Sequence, residues 1–250
     1  MTVRYVWLET LRQIRNVRSV MFTLGFPIVF LLIFGSAFGG HGQGAVIEPG
    51  THLPIIVVTT LQMAAYGAIM AAMSLAFTIV HERSLGWNRQ LRVTPLSGSG
   101  YLVSKTISAL GLALVSVVLV IGVSVAVFSP PASVAGWLGA AVGLWLGATP
   151  FVLIGILIGQ IAKPEFAQGL FMVVFLGMSL LGGLWIPLEI LPSWMTGVAK
   201  ALPSYWLNQL GQSGIRHDTN PLAAIGVLVA WTIVIGALVM VRYRRDTARS

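Results

Sequence analysis

Few residues of this chain could do chemistry, and their spacing keeps them apart. The four histidines, His41, His52, His81 and His217, all fall in polar connections rather than in the long apolar runs. Ser179 lies inside an apolar run with no histidine there to act as its base, so a serine nucleophile has no activating partner. The chain has no cysteine, which removes a disulfide framework, a thiolate metal site and a cysteine nucleophile. No GxxxxGK stretch followed by Ser or Thr occurs, so no phosphate loop is present to hold a nucleotide. These patterns predict no catalytic residue, no metal ligand and no cofactor bound by this chain.

Charge, by contrast, is concentrated. The insert 81–105, HERSLGWNRQLRVTPLSGSGYLVSK, carries Arg83, Arg89, Arg92 and Lys105 against one acid, Glu82. It separates two long apolar runs and overlaps the second. Its middle, 84–93, predicts a short helix with Ser84 as N-cap and Pro95 as the stop beyond it. A short basic helix on a tight loop suits a docking handle for a cytosolic partner. A plain solvated loop obeying the positive-inside rule is the other reading of the same charges.

The elements that must position this insert are apolar. Of 250 residues, 56% are hydrophobic and 9% charged, and the mean hydropathy is +0.89. Soluble domains carry about 25% charged residues, so this chain is expected to be an integral membrane protein, all-α and polytopic. The formal net charge of +8 sits in the connections, where orientation and anionic headgroups explain it; no nucleic-acid partner is implied. Six spans are predicted, at 20–38, 54–80, 102–128, 134–162, 166–186 and 221–241, because about 20 residues cross a hydrocarbon core. Lys105, the one charge within them, sits near enough to an end to snorkel.

Residues 1–18 are amphipathic at helical spacing, with Val3, Val6, Trp7, Leu11, Ile14 and Val17 on one face and Arg4, Arg12 and Arg15 on another. This predicts a helix lying in the headgroup plane; a signal peptide is the rival reading. Thirteen Lys and Arg fall on the side of the termini and of the 81–105 insert, and two, Lys200 and Arg216, on the other. Both termini are therefore expected in the cytosol of a cell-membrane protein. The segment 187–220 is too apolar for a free outer loop yet is broken by Pro187, Pro192 and Pro203. It predicts a broken helical segment dipping into the outer leaflet or lying on it as an aromatic-belt anchor.

Two stretches carry a resemblance. Glu82-Arg83-Ser84-Leu85-Gly86-Trp87, continuing to Leu91-Arg92-Val93-Thr94-Pro95-Leu96-Ser97, resembles the cytosolic coupling loop of ABC type-two exporter permeases, such as the daunorubicin-resistance permeases and polysaccharide exporters. Leu180-Leu181-Gly182-Gly183-Leu184-Trp185-Ile186-Pro187 is similar to that family's other recurring segment, with Leu191, Pro192, Trp194 and Pro203 extending the match. The chain departs from the pattern at Ser84, where an acid is usual, and at Trp87-Asn88, where Thr-Leu is usual. The resemblance covers nearly the whole chain. It implies one transmembrane domain over 1–250, with an interfacial helix at 1–18, a coupling loop at 81–101 and an outer re-entrant segment at 187–220.

It further implies a permease subunit that exports its substrate while separate ABC ATPase chains hold the ATP and magnesium. The coupling residues so implied are Glu82, Arg83, Gly86, Leu91, Thr94 and Pro95. Six spans look like half of the usual assembly, so a second permease chain, in a homodimer, is expected. Small residues at four-residue spacing, Gly35/Gly39, Gly143/Gly147 and Gly155/Gly159, allow close helix approach, within one chain or at a dimer seam. Gln62, Tyr66, Met70 and Met73 share one helical face, and Phe171, Phe175 and Met178 another. Such Met and aromatic walls suit an amphipathic drug-like or lipid-like substrate, although ordinary packing explains each residue singly. A channel or membrane scaffold without ATP coupling is the alternative, and an intramembrane enzyme built on Ser179 a third.

Overall fold

The computed structural model describes residues 21–38, 53–85, 98–185, 192–216 and 220–248. The 1–18 helix, Gly39, residues 86–97, and 187–191 and 217–219 of the outer segment lie outside this set. Among the described residues all regular structure is helical, as lipid demands of a backbone with no water to bond.

A five-residue π turn, Met21–Gly25, opens onto α1 (Phe26–Phe38). Pro27 has no N–H to offer the carbonyl four residues back, and a widened turn accommodates its ring. α2 (Ile55–Met73) and α3 (Leu75–Ser84) form one long rod, interrupted where Ser74 Oγ bonds back to Ala71 O at 2.7 Å. That local bond competes with the helical ladder. α4 (Gly98–Phe128) returns. α5 (Val134–Gly147) and α6 (Thr149–Ile161) form a second bent rod. Pro150 cannot supply the N–H that the Leu146 carbonyl would take from four residues on, and Thr149 Oγ1 donates to that carbonyl at 2.7 Å. α7 (Ala167–Leu181), α8 (Ser193–Ala201), α9 (Pro203–Ser213) and α10 (Pro221–Ala248) complete the chain.

Four of these rods are long and apolar enough to cross a membrane: Ile55–Ser84, Gly100–Phe128, Val134–Ile161 and Pro221–Tyr243. Thr23–Ala37 and Ala167–Leu181 are apolar but shorter. The outward faces are greasy: Val118, Leu119, Leu222, Ile233 and Val234 are exposed. Hydroxyls point inward, with Thr60, Ser104, Ser108, Ser116 and Ser124 buried. This inverts the pattern of a water-soluble protein and fits a multi-pass membrane protein.

The core sits on the α2–α3 rod. Its apolar window is 78% buried, against 22% for the α10 rod, and α2 packs on α1, α4, α6, α7 and α9. Small residues allow the close α2–α4 seam: a Cβ on Gly67 of α2 would collide with Ser116 Oγ, one of the buried serines at helical spacing on α4. Thr60 Oγ1 and Ser124 Oγ meet across it at 2.6 Å. The described members of the glycine pairs also pack within the chain. A Cβ on Gly155 would lie 2.9 Å from Met73 Cα, one on Gly159 2.7 Å from Ile79 Cβ, and one on Gly143 3.1 Å from Leu210 O.

Candidate functional site

Two places concentrate the polar and aromatic groups that sequence reasoning singled out. The first is at the feet of α3 and α4, on either side of residues 86–97. α3 does not stop at Val80; it runs to Ser84. Ser84 is thus the last helical residue and not an N-cap, and its Oγ donates to His81 O at 2.7 Å. α4 begins at Gly98, so the connection is shorter than 81–101 at both ends.

The extra turn of α3 places Glu82 inward, at 4% exposure. Lys105 Nζ donates to Glu82 Oε1 at 2.7 Å, and the Tyr101 hydroxyl donates to Oε2. Tyr101 and Lys105 are one helical turn apart on α4, so both reach the same carboxylate. The Lys105 ammonium also lies 5.5 Å from the Tyr101 ring centre. Lys105 does not snorkel; it is wholly buried. An isolated ammonium could not be buried so deeply, and the paired carboxylate is the physical reason that this one is.

Arg83, the next residue, turns the other way. Its guanidinium donates to Gly159 O at 2.8 Å and to Ala162 O at 3.4 Å. These carbonyls lie at the C-terminal end of α6, where a cation complements the helix dipole and satisfies unpaired acceptors. Two adjacent residues thus tie the foot of α3 to α4 on one side and α6 on the other. Gly86, Leu91, Thr94 and Pro95 lie outside the described residues.

The second place is an aromatic wall between α1, α2 and α7. Tyr66 lies 5.2 Å from Phe26, 5.0 Å from Phe175 and 5.4 Å from Trp185, centre to centre. Phe30 adds an edge contact to Trp185 at 5.5 Å, and Phe171 stacks on Phe175 at 5.7 Å. Phe77, on α3, meets Phe171 at 4.7 Å. The spacing-based faces of α2 and α7 therefore do meet, through Tyr66, Phe171 and Phe175. Met70 and Met178 are half-buried beside that core. Gln62 reaches across to Gly183 O, with a long 3.4 Å contact.

Gly182 and Gly183 explain the end of the wall. Gly183 has φ 75°, a left-handed conformation that glycine adopts without a Cβ clash. Its N–H bonds Leu180 O at 3.2 Å, and the Leu184 N–H bonds Ser179 O at 3.1 Å. These are the paired bonds of a left-handed helix cap, with Leu184 buried as its hydrophobic contact. A Cβ on Gly182 would collide with Ser204 Oγ, which donates to Met178 O at 2.6 Å. The cap aims Trp185 back at α1 and α2, where its Nε1 is buried without a hydrogen-bond partner among the described residues. Ser179, the candidate nucleophile, spends its hydroxyl on Phe175 O at 2.8 Å.

Sequence reasoning missed Tyr101, Phe26 and Phe30, read Trp185 as part of the 180–187 segment and not of the aromatic wall, and misplaced Lys105. One signal for the ion pair was present: the only base in an apolar run, with a lone acid in the insert beside it, calls for that acid as counter-ion. The geometry defines a multi-pass helical membrane protein with a clamped connection at one end and an aromatic wall inside.

Comparison with known proteins narrows that class. The sequence model of the ABC-2 type transporter family matches residues 3–215, and the chain belongs to that family. Over 226 residues it is 26% identical to the Bacillus subtilis (strain 168) protein named "Putative transport permease YvfS", covering 90% of each chain. It is a membrane transport subunit of an ABC transporter, not an enzyme in its own right.

Proposed function

We propose that this chain is the permease subunit of an ATP-driven exporter, moving an amphipathic drug-like or lipid-like molecule out of the cytosol. Family membership over residues 3–215 is the observation that carries this reading. Separate ABC ATPase subunits hold ATP and magnesium; residues 86–97 form the face they push on, and the flanking Glu82 and Arg83 anchor it to the bundle. The excess of Lys and Arg in 81–105 and at both termini sets that face and the termini in the cytosol of the plasma membrane. In this arrangement α1 and α7 also span, giving six passes, with α8 and α9 at the outer leaflet. Two such chains, identical, complete the path.

The aromatic wall supports the substrate class. Its rings offer adaptable apolar area, and the buried Trp185 N–H offers one donor to a molecule with an acceptor. Among the described residues the paired Glu82 and Lys105 are the buried ions, and they lie at the foot of the bundle, away from that wall. A strongly ionic substrate would find no buried counter-charge from the described residues beside the rings.

The test is isolation from native membrane followed by reconstitution. The chain alone should hydrolyse no ATP. It should co-purify with a phosphate-loop ATPase, and the complex should expel a lipophilic fluorescent dye from vesicles only with ATP. Gly86→Asp or Leu91→Asp should leave hydrolysis running while dye movement stops. A chain that purifies without any ATPase and conducts solute by itself would replace this reading with a channel.

A further inference from the structure

The ion pair at the foot of α3 has features that docking alone does not require. Glu82 lies four residues before Gly86 and Tyr101 four residues after Ser97, so both stand at the roots of the 86–97 connection. Both side chains of the pair are desolvated, at 0% and 5% exposure. For stability alone, apolar residues of the same volume would serve as well as a buried ion pair. What the ion pair adds is direction: two donors one turn apart on α4 fix where the carboxylate on α3 can sit.

Resting on the exporter reading, we propose that Glu82, gripped by Lys105 and Tyr101, is a positioning residue that makes the feet of α3 and α4 one rigid lever. A push on residues 86–97 then turns both helices together instead of being absorbed at their ends. Short connections shared by packed helices pass on such rigid-body shifts because packed interfaces do not deform smoothly. Arg83 extends the lever to α6 through Gly159 O and Ala162 O. Breaking the grip leaves the docking face and the ATPase intact but lets α3 swing without α4.

The absence of native cysteine allows paired spin labels. In the reconstituted complex with its ATPase, labels at Val127 and Leu222, both exposed near the opposite end of the bundle, should change separation when ATP is added. In a Lys105→Met complex, hydrolysis should continue while that change is lost. The exchange Glu82→Lys with Lys105→Glu should bring it back, which a purely structural defect elsewhere would not allow. Tyr101→Phe, which removes only the hydroxyl, should reduce the change and serves if Lys105→Met does not fold. A full separation change in Lys105→Met or Tyr101→Phe would overturn the lever. No ATP-driven change in the unaltered complex, or no ATPase bound to it, would instead overturn the exporter reading beneath it.

Discussion

Replacing Gly155 with alanine should destabilise this protein, although the same change at Gly122 should stabilise it. Both glycines sit inside helices, where glycine costs about 0.5–1 kcal/mol relative to alanine. At Gly122 a new Cβ meets nothing within 4 Å, so that gain is realised in full. At Gly155 the Cβ would stand 2.9 Å from Met73 Cα, 2.9 Å from Met73 O and 3.2 Å from Ala72 O. These are backbone atoms, which cannot swing aside as a side chain can. Prying the seam open costs about 1–3 kcal/mol, as for other overpacked sites. Set against the helix gain, the net loss at Gly155 is about 0–2.5 kcal/mol, with its middle near 1. Thermal unfolding of the detergent-purified chain, read beside its elution volume, measures both substitutions on one scale. A Gly155→Ala chain as stable as Gly122→Ala would refute the close α2–α6 contact. A chain of unchanged stability that loses self-association would move the glycine seam between subunits.

Other perturbations follow from single bonds. Arg83→Met keeps the aliphatic stem but frees Gly159 O and Ala162 O; a charged hydrogen bond contributes about 1.5–3 kcal/mol, and partial exposure lowers the expected loss to about 1–2 kcal/mol. Unfolding should register that loss, with Arg83→Lys recovering part of it. Trp145→Phe removes the 2.9 Å bond from the indole N–H to Leu110 O across the α4–α5 seam, and should cost about 1 kcal/mol in the same assay. Ser179→Ala should leave dye export unchanged, and abolished activity would revive an enzymatic role for that hydroxyl. An epitope inserted within residues 88–95 should be reached by antibody only from the cytosolic side of sealed vesicles; reach from outside would reverse the orientation.

The bundle was legible wherever burial is a matter of period and length. The four full-length rods coincide with predicted runs, since apolar stretches near 20 residues have one stable state in lipid. Their ends were not legible. His81, Glu82 and Arg83 read as the start of a polar loop, yet they form the last turn of α3, because Glu82 faces Lys105 and Arg83 faces α6. Polarity marks a boundary only when the polar group needs water, and these two find protein partners instead. Pro164 and the Gly182–Gly183 cap leave α7 at 15 residues, shorter than the run that hydropathy counted. Spacing on α2 and α7 picked Tyr66, Phe171 and Phe175, since residues on one face recur every turn. It had no means to bring in Phe26, Phe30 and Trp185, which reach the same cluster from other segments.

The two halves of the molecule are held by different physics, and that difference constrains how it can move. At the foot of α3, charged groups with fixed directions join α3 to α4 and α6, and the Gly159 contact with Ile79 holds α6 close to the same helix. Higher up, α7 and the Trp185 that follows it meet α1 and α2 through rings that touch at 5.0–5.9 Å with interplanar angles from 58° to 87°. Ring contacts of this kind exchange one offset geometry for another at little cost, whereas a buried ion pair cannot slide without exposing an unpaired charge. A displacement imposed at the foot would therefore be conserved along α2–α3 and released at the aromatic wall. In an exporter, that is where yielding contacts are needed: apolar rings that part from one another can close on an amphipathic molecule instead.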